Sequence, residues 1–108
     1  MNDKLLKNIN YYGVRTELRK LNEEVFELQE AILYREQPND IARPIRDFNA
    51  RLNGKQSPDI EHIAEEIADV QVLLNQFKLY YGISDEEVKE VMIKKIDRQM
   101  ERIEDESK

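Results

Sequence analysis

From Val14 onward, apolar residues fall at Val14, Leu18, Leu21, Val25, Leu28 and Ile32, alternating steps of four and three. That spacing lines them up on one stripe of an α-helix and predicts a helix running to about Arg35. Upstream, Leu5, Leu6, Ile9 and Tyr12 either extend this helix or are set off from it by a bend at the weak helix formers Asn10 and Gly13. Residues 37–58 hold all three prolines and the Asn53-Gly54 turn pair, so this stretch reads as a connection, with a short helix carrying Ile45, Phe48 and Leu52.

Ser57-Pro58 reads as an N-cap followed by proline at the first helical position, where its missing N–H costs nothing. The helix that follows carries a stripe of Ile60, Ile63, Ile67, Val70, Leu74, Phe77 and Tyr81 and meets a C-terminal stop at Gly82. Ser84-Asp85-Glu86-Glu87 then fits a capping box and starts a third long helix, with Val88, Met92, Ile96, Met100 and Ile103 as its apolar face. A charged, frayed tail is expected from Glu104 to Lys108. Strand-type alternation is absent over any useful length, so the expectation is all-α: one domain over 1–108, a helical bundle of three long helices plus one short helix. A chain this short buries only about two-thirds of its unfolded surface, so apolar stripes this wide favour a core completed by oligomerisation, in a homodimer or homotetramer.

Composition narrows the function classes. Seventeen Lys plus Arg against 23 Asp plus Glu give a net charge of -6, which disfavours general binding to nucleic acid. With no Cys, thiolate zinc sites and cysteine nucleophiles are excluded. Met1-Asn2-Asp3-Lys4 lacks a signal-peptide core and no apolar run approaches the ~20 residues that cross a bilayer, so no membrane role and a cytoplasmic location are expected. Neither a glycine-rich phosphate loop nor HExxH occurs.

The charge pattern is where chemistry enters. Between Lys20 and Arg35 the first long helix carries Glu23, Glu24, Glu27 and Glu30 with no basic residue among them; between Lys55 and Lys78 the second carries Asp59, Glu61, Glu65, Glu66 and Asp69, equally uncompensated apart from His62. Solvated helices usually intersperse Lys or Arg at i+4, because opposite pairs contribute roughly 0.2–0.5 kcal/mol each. Glu24 and Glu27 are three apart, as are Glu66 and Asp69, so each pair projects from one face and borders an apolar stripe. An isolated ExxE is ordinarily a solvated face, but two such pairs beside two stripes predict four carboxylates meeting at the edge of the core. Mutually close anions raise their own pKa values or demand a cation, and an all-oxygen set selects Mg²⁺ or Mn²⁺.

Glu23-Glu24-Val25-Phe26-Glu27-Leu28, followed by Glu65-Glu66-Ile67-Ala68-Asp69-Val70, resembles the paired ExxE and ExxD signature of MazG-like nucleoside triphosphate pyrophosphohydrolases. The likeness covers most of residues 14 to 103. It implies a Mg²⁺-dependent enzyme that cleaves an NTP or dNTP between the α- and β-phosphates, giving a monophosphate and pyrophosphate. The resemblance makes Glu24, Glu27, Glu66 and Asp69 the metal ligands. Glu27 and Glu66 become the candidate catalytic carboxylates, with the choice of general base left open. Lys95, Arg98, Gln99 and Arg102 on the third long helix would contact the substrate.

Two departures accompany the resemblance: Gln99 stands where an Asn is expected, and the connection between the metal helices is long. Its Arg43, Arg46, Arg51 and Lys55 suit either a lid over the triphosphate or a subunit contact. These departures motivate the alternative of a non-catalytic helical interaction protein that keeps the bundle. His62 lies one turn before Glu66, and is expected at the surface or behind the ligands. Tyr11, Tyr12, Phe26, Phe77, Tyr80 and Tyr81 are expected mostly in core or interface.

Overall fold

The computed structural model describes residues 1–108. It is all-helical: α1 (Asn2–Tyr12), α2 (Val14–Arg35), α3 (Arg43–Leu52), α4 (Pro58–Tyr80) and α5 (Asp85–Glu106). There are five helices rather than four, because the upstream apolar residues form a helix of their own. The break is at Gly13, whose φ of 88° and ψ of 156° lie in a region that only glycine enters without strain. The Gly13 N–H still donates to the Ile9 carbonyl and closes α1, while its own carbonyl accepts from Glu17 and opens α2.

Local chemistry sets the other boundaries. Gly54 and Gly82 have φ of 66° and 67°, the left-handed conformation that ends helices. After Gly82 the Ile83 N–H reaches back to the Lys78 carbonyl at 2.8 Å. Ser84 and Glu87 form the expected reciprocal capping box at the start of α5. Pro58 is at the first turn of α4 as expected, but the Ser57 hydroxyl caps nothing: it donates to Asp47 of α3 instead.

The main interface is α2 against α4, and α1 lies across both. Arg35, ending α2, meets Asp59, beginning α4, so the two long helices are antiparallel. Their buried positions recur every seven residues: Glu17, Glu24 (half-buried) and Ala31 on α2, and Asp59, Glu66 and Leu73 on α4. Heptad spacing is the mark of helices packed along one seam. Most of these seam residues are polar, which corrects the expectation that apolar stripes would pack and leave the acids at their edge. Leu18, Ile32, Ile67 and Leu74, all stripe residues, remain 41–50% exposed.

The fully buried apolar residues are Ile9, Ala31 and Leu73 alone. The expected apolar faces of α3 and α5 are turned outward: Ile45, Phe48 and Leu52, like Met92, Ile96, Met100 and Ile103, are each about half exposed or more. No residue of α5 is buried, and the helix stands clear of the α1–α2–α4 packing. The resulting shape is open. Its radius of gyration is 18.3 Å, against about 13 Å for a compact domain of this length.

Candidate metal centre

Positions 24 and 27 of α2 face positions 66 and 69 of α4 because the antiparallel seam brings the middles of the two helices together. Carboxylate oxygens of Glu24, Glu66 and Asp69 lie within 4.8 Å of one another. Glu66 is buried and Glu24 half-buried, whereas Asp69 is exposed, so the group opens to solvent on one side. Glu27, the fourth expected ligand, is not part of this closest group. It is an exposed neighbour near enough to Glu24 and Glu66 to raise the pKa of both.

The electrostatics are those of crowded anions. Burial, and then the charges of Glu27, Asp69 and Glu66, push the Glu24 carboxyl up to about 7. Glu66 is raised as well, by burial first and then by Glu27, with His62 pulling the other way. One oxygen each of Glu24 and Glu66 is shut off from solvent with no hydrogen-bond partner in the protein. An unpaired buried carboxylate oxygen costs free energy that protonation or a bound cation removes. Three oxygen donors at this spacing, two of them carrying such orphaned atoms, fit a hard divalent ion such as Mg²⁺ or Mn²⁺.

His62 approaches Glu66 Oε1 at 3.9 Å and Glu65 Oε2 at 3.9 Å, both beyond hydrogen-bond range, and its side chain is more than half exposed. It borders a cavity with Glu27, Glu30, Tyr34 and Glu66, and so meets the acidic group only at Glu66. Lys95, Arg98, Gln99 and Arg102 are all exposed on α5, and the fold of a single chain does not pack that helix against the acidic seam. The expected substrate-binding cluster is therefore not assembled with the carboxylates inside one chain. After Gly82 only Val88 on α5 is half-buried, and the rest of the helix is exposed.

Of the basic residues in the connection, two serve as anchors. Arg46 Nη2 pairs with Asp40 at 2.7 Å and its guanidinium sits 5.5 Å over the Tyr34 ring. Arg43 Nη1 donates to the Arg35 carbonyl at 2.6 Å. Arg51 and Lys55 are exposed and take part in no ion pair. The strongest knot is at the far end of the seam. Arg35 grips Asp47 through two hydrogen bonds of 2.7 and 2.9 Å and Asp59 through one of 3.0 Å. These bonds, with the Ser57 hydroxyl, hold Asp47 well below the usual carboxylate range, and they keep the Arg35 guanidinium firmly charged.

Sequence reasoning passed over Glu17, which is 1% exposed and accepts from Asn8 Nδ2 at 3.3 Å, and Gln76, which is 3% exposed. A seven-residue count finds both, since Glu17 precedes Glu24 by seven and Gln76 follows Asp69 by seven. Comparison with known protein families, curated proteins and solved structures finds no match for this chain.

Proposed function

We propose that the protein is a Mg²⁺-dependent nucleoside triphosphate pyrophosphohydrolase of the MazG-like kind, acting on an NTP or dNTP. The observation that carries this reading is the cluster of Glu24, Glu66 and Asp69, with orphaned oxygens on its buried members and Glu27 beside it. Glu24, Glu66 and Asp69 would hold the ion, which when bound neutralises phosphate charge and acidifies water. Glu27, outside the closest group and exposed, is the carboxylate left to accept a proton from water attacking the α-phosphorus. The bond from that phosphorus to the α,β-bridging oxygen breaks, and monophosphate and pyrophosphate leave. Glu66, fixed in the seam, orients the acidic group from the buried side.

The reading includes self-association, and the surface of the lone chain supports it. The chain exposes 8958 Å², about 2,600 Å² more than a compact protein of its mass. Each partner of a permanent homodimer buries about 1,000–2,500 Å². A homodimer or homotetramer would cover the outward faces of α3 and α5, and would offer a second chain's Lys95, Arg98, Gln99 and Arg102 to the carboxylates. A nucleotide-hydrolysing role belongs with the cytoplasmic nucleotide pool. The same exposed apolar faces also favour a second reading, a non-catalytic helical interaction protein.

Incubation with a panel of NTPs and dNTPs and Mg²⁺ separates the two. The enzyme reading expects monophosphate plus pyrophosphate from at least one of them, abolished in Asp69→Ala at unchanged helicity. No turnover of any, or release of orthophosphate alone, overturns it.

A further inference from the structure

Next to the carboxylates, on the side covered by α1, lies a cavity of about 340 Å³ whose wall includes Lys4, Asn8, Lys20, Glu24, Asp69 and Gln76. Ligand cavities begin at about this size, so its walls take part of a nucleotide rather than all of it. Three features of the wall are unexplained by folding. First, Lys4 and Lys20 share a cavity with two carboxylates, yet neither lysine forms a salt bridge with any acid. Lys20 is one turn before Glu24 on α2, where a simple counterion would reach it. Second, Gln76 is 3% exposed and its Oε1 has no hydrogen-bond partner. A buried carboxamide oxygen without a donor is a standing cost that a bound N–H or O–H removes. Third, Asn8 commits its Nδ2 to the buried Glu17, which fixes the amide and leaves its oxygen available as a second acceptor.

Unpaired ammonium groups beside a cation site select a ligand that is itself an anion bridged to a metal. Two carboxamide acceptors select one that also carries N–H or O–H donors. We propose that this cavity is the substrate pocket, in which Lys4 and Lys20 clasp the phosphates of a nucleoside triphosphate and the Gln76 and Asn8 carboxamides receive hydrogen bonds from its base or sugar. The assignment rests on the nucleotide reading above, and within one chain it locates substrate binding on α1, the first turns of α2 and the C-terminal part of α4 rather than on α5. It makes α1 a functional element and Glu17 the residue that positions Asn8.

The test is equilibrium binding of non-hydrolysable α,β-methylene nucleoside triphosphates with four different bases, and of inorganic tripolyphosphate, all in Mn²⁺. Lys4→Gln and Lys20→Gln should each weaken nucleotide and tripolyphosphate binding about tenfold, the loss of one charge-assisted contact. Gln76→Leu should weaken the nucleotides and leave tripolyphosphate unchanged. The Mn²⁺-induced rise in melting temperature should persist in all three variants, showing fold and cage intact. Unchanged affinities in the lysine variants and in Gln76→Leu, with hydrolysis still proceeding, overturn the pocket while the proposed activity stands. Absence of nucleotide binding to the wild-type protein overturns both.

Discussion

A carboxylate kept from water beside other carboxylates stabilises the fold only while it is protonated or bound to a cation. Glu24, raised from 4.5 to about 7, therefore contributes its stability below pH 4.5 and loses it as the pH climbs through 7. In chelator, the melting temperature of the wild type should fall by several degrees between pH 5 and pH 8, and Glu24→Gln should flatten that slope. Mn²⁺ at pH 8 should restore the wild type and leave Glu24→Gln unmoved; NaCl at matched ionic strength reproduces only screening. A wild-type profile that coincides with the variant's contradicts the crowding. At the other end of the seam the sign reverses, since Asp47 is depressed by Arg35 and Ser57 and contributes its stability above the usual aspartate range, losing it in acid. Arg35→Ala leaves the nearly inaccessible Asp59 with only Arg46, 3.8 Å away. Urea denaturation should register a clear loss of stability, since a nearly inaccessible carboxylate is left without its close partner.

At the scale of elements, boundaries were legible and partners were not. Gly82, the Ser84 box and Pro58 carry their meaning in a few adjacent residues, and each falls where its chemistry dictates. Gly13 was legible as a bend, but not as the end of an independent α1 whose Lys4 and Asn8 line a cavity with the carboxylates. Replacing Gly13 by Ala meets no steric obstacle, since nothing lies within 4 Å of the added carbon. Its cost of about 1–3 kcal/mol comes from backbone strain alone, and α1 should be the element that detaches, seen as faster amide exchange at Ile9. The pairing of Glu24 with Glu66 and Asp69 was legible because both ExxE-type spacings sit at the middles of helices long enough to meet. The position of Lys95, Arg98, Gln99 and Arg102 was not, because local periodicity states that α5 has an apolar face without stating what covers it.

For the whole molecule, the balance of burial is the central fact: only three apolar residues in 108 are buried, while 24 large apolar residues are at least 40% exposed. Ile96→Glu, on the outward face of α5, should dissociate an assembly that depends on that face, read as a halving of mass or more by sedimentation, with helicity of α2 and α4 kept. A chain already monomeric, with mass unaffected by the variant, argues for the lone open form. Assembly through that face would also link stability to abundance. A protein whose heat resistance rises with its own concentration is robust when plentiful and open to proteases when scarce. Synthesis rate alone would then set both how many copies exist and how long each one lasts.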